Sequence, residues 1–119
     1  MKAILVVDDE TSITDIVKVV LMDDGYHVGT AGNGRHALDY LAVNQVDLIL
    51  SDLMMPAMDG GALLDALRAD PRYRDIPFVL MCSLPEATIA DRVTGYSAFL
   101  PKPFNIGEVS TIIASLLPG

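Results

Sequence analysis

Short apolar runs alternate with stretches of helical periodicity five times along the chain. The first run, Ala3–Val7, is apolar at every position, which predicts a strand buried on both faces. Beyond it, Ile13, Ile16, Val17, Val20 and Leu21 recur at the spacing of one helix face, and Gly25 supplies a stop. His27–Ala31 reads as a weaker strand, and Asn33 is placed to cap a helix carrying Ala37, Leu38, Leu41 and Ala42. Val46–Ser51 reads as a third strand, followed by Asp59 as the cap of a helix carrying Leu63, Leu64 and Leu67. Phe78–Cys82 is the fourth strand, after Pro77, and Pro85–Val93 a short, weakly amphipathic helix. Ala98–Leu100 is a brief fifth strand. Asn105, with Glu108 three residues on, has the form of a capping box before a helix bearing Val109, Ile112, Ile113 and Leu116.

The order is therefore βαβαβαβαβα. Strands alternating with helices at this spacing predict a parallel sheet covered on both faces, with right-handed crossovers. The 119 residues suit one domain, 1–119, and a chain of that size buries roughly two-thirds of its unfolded surface. There is no internal repeat, low-complexity tract or linker. The sequence stops at Pro118-Gly119, just past the last helix, so it reads as a one-domain protein or as one domain of a longer chain.

Composition narrows the classes. No apolar run approaches the roughly 18 residues of a membrane span. "MKAILVVDDE" lacks the longer apolar region and cleavage site of a signal peptide. A formal net charge of -8 argues against direct nucleic-acid binding, since phosphate contacts need clustered Lys or Arg. The single cysteine, Cys82, excludes an internal disulfide and fits a reducing, cytoplasmic setting. His27 and His36 are too few for a zinc cluster.

The candidate chemistry lies at strand ends. In an open doubly wound sheet, ligands sit beyond the carboxyl ends of the strands, at the point where the strand order reverses. With the order 2-1-3-4-5, strands 1 and 3 adjoin there. The first ends in Asp8-Asp9 and the third in Asp52. Any one strand-end acid is ordinarily a cap or turn former, as we read Asp59-Gly60. Three acids meeting at one edge repel one another unless a cation is present, and Mg²⁺ suits carboxylates, waters and a phosphate. Lys102, between two prolines in "FLPKPF", stands at the end of the fifth strand and can reach back toward the acids. Acids, a divalent cation and a lysine suit phosphoryl transfer to an aspartate nucleophile.

"VVDDE" (Val6–Glu10), "LILSDLMMPAMDG" (Leu48–Gly60) and "FLPKPF" (Phe99–Phe104) together resemble the response-regulator receiver domains of bacterial two-component signalling, over essentially the whole chain. The resemblance implies a flavodoxin-like (βα)5 fold, a doubly wound parallel five-stranded sheet of order 2-1-3-4-5. It implies that Asp52 accepts the phosphoryl group. Asp9 would bind Mg²⁺ (or Mn²⁺) directly, Asp8 largely through water, and Met54 through its backbone carbonyl. Lys102 would contact the phosphoryl oxygens, ahead of a Lys102–Pro103 bond that is commonly cis in the family. The donor would be a phosphohistidine on a sensor histidine kinase or phosphotransfer protein. The receiver would be a phosphorelay switch acting on a downstream protein target or output domain. It would assist its own phosphorylation without being a turnover enzyme, and would contact neither nucleic acid nor membrane directly.

Departures from the family pattern are local. Where the family usually has Thr or Ser at the end of strand 4, this chain has Cys82, with Ser83 adjacent. Cys82, or Ser83 after a one-residue shift, is the candidate to contact the phosphoryl group; alternation along a strand argues against both facing the site, and a buried, inert thiol is the other reading of Cys82. Phe99 stands at the aromatic switch position without the hydroxyl of the commoner Tyr, and the Cys82–Gly95 stretch is short for the family, so an abbreviated fourth helix is expected. Met54 and Leu84, at positions that influence attack by water, lack side chains that orient one, which implies slow self-dephosphorylation. Other readings are a phosphorylation-independent interaction module, a flavodoxin-like cofactor binder and a phosphohydrolase. The cofactor binder would want a Ser/Thr/Gly-rich loop where this chain has "DDETS", and nothing in the sequence forms the lid of a hydrolase.

Overall fold

The computed structural model describes residues 1–117. Its elements run β1 (Ala3–Val7), α1 (Thr11–Asp23), β2 (His27–Ala31), α2 (Gly34–Val43), β3 (Leu48–Asp52), α3 (Gly60–Ala69), β4 (Phe78–Cys82), α4 (Glu86–Ile89), β5 (Ala98–Pro101) and α5 (Ile106–Leu116). The sheet is parallel throughout, in the order β2-β1-β3-β4-β5. The expected architecture is the observed one.

Strand alternation sorts the core into two layers. Leu5, Val7, Ile49, Phe78, Leu80 and Cys82 face one layer, closed by Ala37 and Leu41 of α2, by Leu63, Leu64 and Leu67 of α3, and by Ile89 of α4. Ile4, Val6, Leu48, Leu50, Val79 and Met81 face the other, closed by Val17 and Leu21 of α1 and by Val109 and Ile113 of α5. The central strands are apolar along their length because both their faces are covered.

Local chemistry sets the boundaries. Asn33 and Asp59 accept from the backbone N–H groups of His36 and Ala62. Asn105 and Glu108 form the reciprocal capping box. Gly25 closes α1 at φ 98°.

Three readings shift. β3 begins at Leu48, not Val46, and takes in Asp52; Val46 is buried all the same. In α1 the buried positions are Thr14, Val17 and Leu21, while Ile16 is 52% exposed. Thr14 tolerates burial because its hydroxyl donates to the Thr11 carbonyl at 3.0 Å. α4 covers only Glu86–Ile89 of the expected Pro85–Val93 helix, so the abbreviation expected of this stretch is present and the helix is shorter than its pattern.

Candidate functional site

The register places the site. Val7 pairs with Ala31 on one side and Ser51 on the other, so Asp8 and Asp52 emerge side by side at the carboxyl edge of β1 and β3. Asp8 is buried and held from three directions. Its N–H donates to the Ala31 carbonyl at 3.1 Å, its Oδ1 accepts from the Glu10 N–H at 3.0 Å, and its Oδ2 accepts from Lys102 Nζ at 2.9 Å. Asp9 is exposed beside it. Oxygens of Asp8, Asp9 and Asp52 lie within 4.8 Å of one another.

β5 ends in a way that aims the lysine inward. The Lys102 N–H donates to the Cys82 carbonyl at 2.9 Å, and the Lys102–Pro103 bond is cis. Lys102 Nζ then lies 3.4 Å from Asp52 Oδ1 and 3.9 Å from Glu10 Oε1, in addition to its bond with Asp8. Burial, then the Asp8 charge, push the Asp52 carboxyl up to about 6, against the pull of Lys102. Burial works to lower the Lys102 ammonium, but the Asp8 hydrogen bond and the charges of Asp52 and Asp8 outweigh it, and the net shift is upward. One lysine does not neutralise this cluster. The donor set is all-oxygen carboxylate with charge left over, which fits a hard divalent cation such as Mg²⁺.

After β3 the chain turns into the loop carrying Met54, which is 60% exposed. Met54, Met55, Pro56 and Asp59 line, with Asp9, an open cavity of about 390 Å³ beside the acids. Cys82 is 1% exposed; its Sγ accepts from the Leu84 N–H at 3.4 Å on the face that also receives Phe99. Ser83 is exposed. The structure thus brings together Asp8, Asp9, Asp52 and Lys102, and turns the Cys82 side chain toward the α3–α4 layer. The sequence reading missed Glu10 as a further acid near Lys102. Its place directly after the acid pair was the available signal.

Carboxylates and a lysine converge at the order-reversal edge of a parallel sheet, an arrangement compatible with a hard divalent cation. The chain belongs to the response regulator receiver domain family, whose model matches residues 4–114. It is 38% identical over 120 residues to "Response regulator Rre1" of Synechocystis, covering 97% of this chain and 51% of that protein. It is 35% identical to the "DNA-binding dual master transcriptional regulator RpaA" of the same organism, covering 98% of this chain and 49% of that one. The response regulator TrrA of Thermotoga maritima, solved in complex with Mg²⁺-BeF, superposes with a TM-score of 0.86 at 29% identity, over 98% of this chain and 100% of that one. This chain is a receiver domain of two-component signalling, and its role is phosphorelay signal transduction. It spans about half the length of the curated relatives it matches. Among the described residues, no helix is long and apolar enough to cross a membrane.

Proposed function

We propose that residues 1–119 form a single receiver domain, in the cytoplasm, in which Asp52 takes the phosphoryl group from a phosphohistidine of a sensor histidine kinase or phosphotransfer protein. An Asp52 carboxylate oxygen forms the new bond to phosphorus as the phosphorus–nitrogen bond breaks. The imidazole leaves with the electron pair and gains a proton. Asp9, Asp52 and the Met54 carbonyl hold Mg²⁺, or Mn²⁺ in its place, with Asp8 acting through water. The Asp8 role is supported by its oxygens, which are already engaged by Glu10 N–H and by Lys102. When bound, the cation offsets charge on the carboxylates and on the transferring phosphoryl oxygens.

Lys102 moves from an ion pair with the acids to the phosphoryl oxygens. Cys82 stands where the family's hydroxyl does, and its thiol is a weaker donor; exposed Ser83 is the other candidate for that contact. The phosphorylated domain changes its affinity for a downstream protein or output domain. It is a switch, not a turnover enzyme. Nucleic-acid contact, where a longer protein has it, belongs outside these residues, a reading supported by the net charge of -8.

The observation that carries this reading is Lys102 Nζ set 2.9 Å from Asp8 and 3.4 Å from Asp52, with the acids converging around it. Intact mass after incubation with acetyl phosphate tests it. A phosphoryl adduct that needs Mg²⁺ and is absent from Asp52→Ala is expected. A folded, Mg²⁺-binding protein that takes no adduct, from acetyl phosphate or from a phosphorylated kinase, would overturn it.

A further inference from the structure

Gly34 opens α2, and its N–H donates to the Met58 carbonyl at 2.9 Å. A Cβ on Gly34 would stand 2.8 Å from Met58 Cγ and 2.9 Å from the Met58 carbonyl oxygen. The first of these atoms is side chain, but the second is backbone and cannot swing aside. Gly34 does not lie in the left-handed region, so the need here is for space and not for an unusual φ. Its N–H is among those a helix leaves without an internal partner, and it is spent on the loop.

That loop, Leu53–Asp59, is held at both ends. At the far end the Gly60 N–H donates to the Leu53 carbonyl at 2.8 Å. Between the ends the chain reverses tightly, with Ala57 at φ 65° and the Met58 N–H on the Pro56 carbonyl at 2.7 Å. The loop supplies Met54, Met55 and Pro56 to the cavity shared with Asp9. Ala31, the last residue of β2 just before the turn that presents Gly34, accepts the Asp8 N–H at its carbonyl, 3.1 Å away. The end of β2 and the start of α2 therefore brace the two banks of the acid site.

We infer that Gly34 is a positioning residue for the cation: by lacking a Cβ it lets α2 hold the Met54 loop at the depth that Mg²⁺ binding requires. This rests on the Mg²⁺ reading above. Calorimetric titration of the unphosphorylated protein with MgCl₂ tests it on wild type, Gly34→Ala and Asn33→Ala. Asn33→Ala removes the α2 cap, the 2.9 Å bond to the His36 N–H, without filling the space at Gly34. Gly34→Ala is expected to bind Mg²⁺ about tenfold more weakly, as loss of an outer-shell support typically does, while Asn33→Ala keeps its affinity within about twofold.

Wild-type affinity in folded Gly34→Ala would overturn the role of Gly34 and leave the Mg²⁺ reading standing. Absence of Mg²⁺ binding by wild type would overturn both. Should Gly34→Ala not fold, amide exchange of wild type decides. Saturating Mg²⁺ should slow exchange of the Gly34 amide, which holds the loop, more than that of the His36 amide, which bonds only to the Asn33 side chain. Equal slowing would overturn the inference.

Discussion

At the scale of single residues, Asp52 ionises in a place that resists its charge. Its folded-state value of about 6 lies above the ordinary carboxyl value of 3.8. Between those values the native state keeps a proton that the unfolded chain has released, so stability falls as pH rises through that window. The penalty is fully present above about pH 6 and absent below the ordinary carboxylate range. Asp52→Asn is therefore expected to stabilise the Mg²⁺-free protein near pH 7. The gain is about 1–2 kcal/mol, discounted because the site edge opens on solvent, and it vanishes near pH 4. Urea unfolding at the two pH values checks it, and an equal gain at both would sink the argument. A second expectation concerns water. Neither Met54 nor Leu84 can orient one by a strong hydrogen bond, so purified phosphoprotein should lose its phosphoryl group slowly. Radiolabel retention over time measures this, and rapid loss without a phosphatase would refute it. Asp8, Asp9, Asp52 and Lys102 were legible because strand ends can be counted in sequence and neighbouring strands then bring them together. The surroundings of Cys82 were not, because alternation gives the face of a side chain but not what lies across from it.

At the scale of elements, α1 shows how periodicity misleads. Its apolar residues are spread widely enough that two faces fit the spacing, and the chosen one included Ile16. The buried line runs through Thr14, whose hydroxyl is satisfied locally, while Ile16, Val19 and Met22 face outward. The short α4 was anticipated, but not what secures the segment after it. Arg68 of α3 donates from Nε and Nη2 to the Gly95 carbonyl at 3.1 and 3.0 Å, and from Nη1 to the carbonyls of Arg74 and Ile76 at 3.0 and 2.8 Å. The Tyr96 hydroxyl donates to Glu86 at 2.6 Å, tying α4 to the start of β5. Only a planar guanidinium spans these carbonyls at once, so Arg68→Lys should cost about 1–2 kcal/mol. Denaturant melts would show the loss, and amide exchange should quicken in 91–96 before it does in β4. An unchanged exchange pattern would contradict a tethering role.

At the scale of the whole molecule, the parallel sheet puts every strand's carboxyl end on one edge, and so places function at one end of the fold. Two apolar layers supply stability, and the edge concentrates uncompensated acid in a chain of net charge -8. A cation binding only the folded state adds stability by mass action. Mg²⁺ at about 100 times its Kd should therefore raise the unfolding free energy by about 2.7 kcal/mol, and much less in Asp9→Asn. Thermal melts across a Mg²⁺ series check this; equal shifts in both proteins would place the cation elsewhere. The fold was legible nearly throughout because each central strand is apolar on both faces and each long helix keeps one apolar side.

The ion pair between Lys102 and Asp8 joins residues 94 positions apart in the chain. A chain growing from its amino end presents Asp8, Asp9 and then Asp52 long before Lys102 arrives to temper them. Through most of its synthesis the nascent domain carries an acidic edge without the lysine that pairs with Asp8 and Asp52 in the finished fold. The site is completed only by the last strand, so no fragment ending before β5 can hold it, however well its sheet has formed.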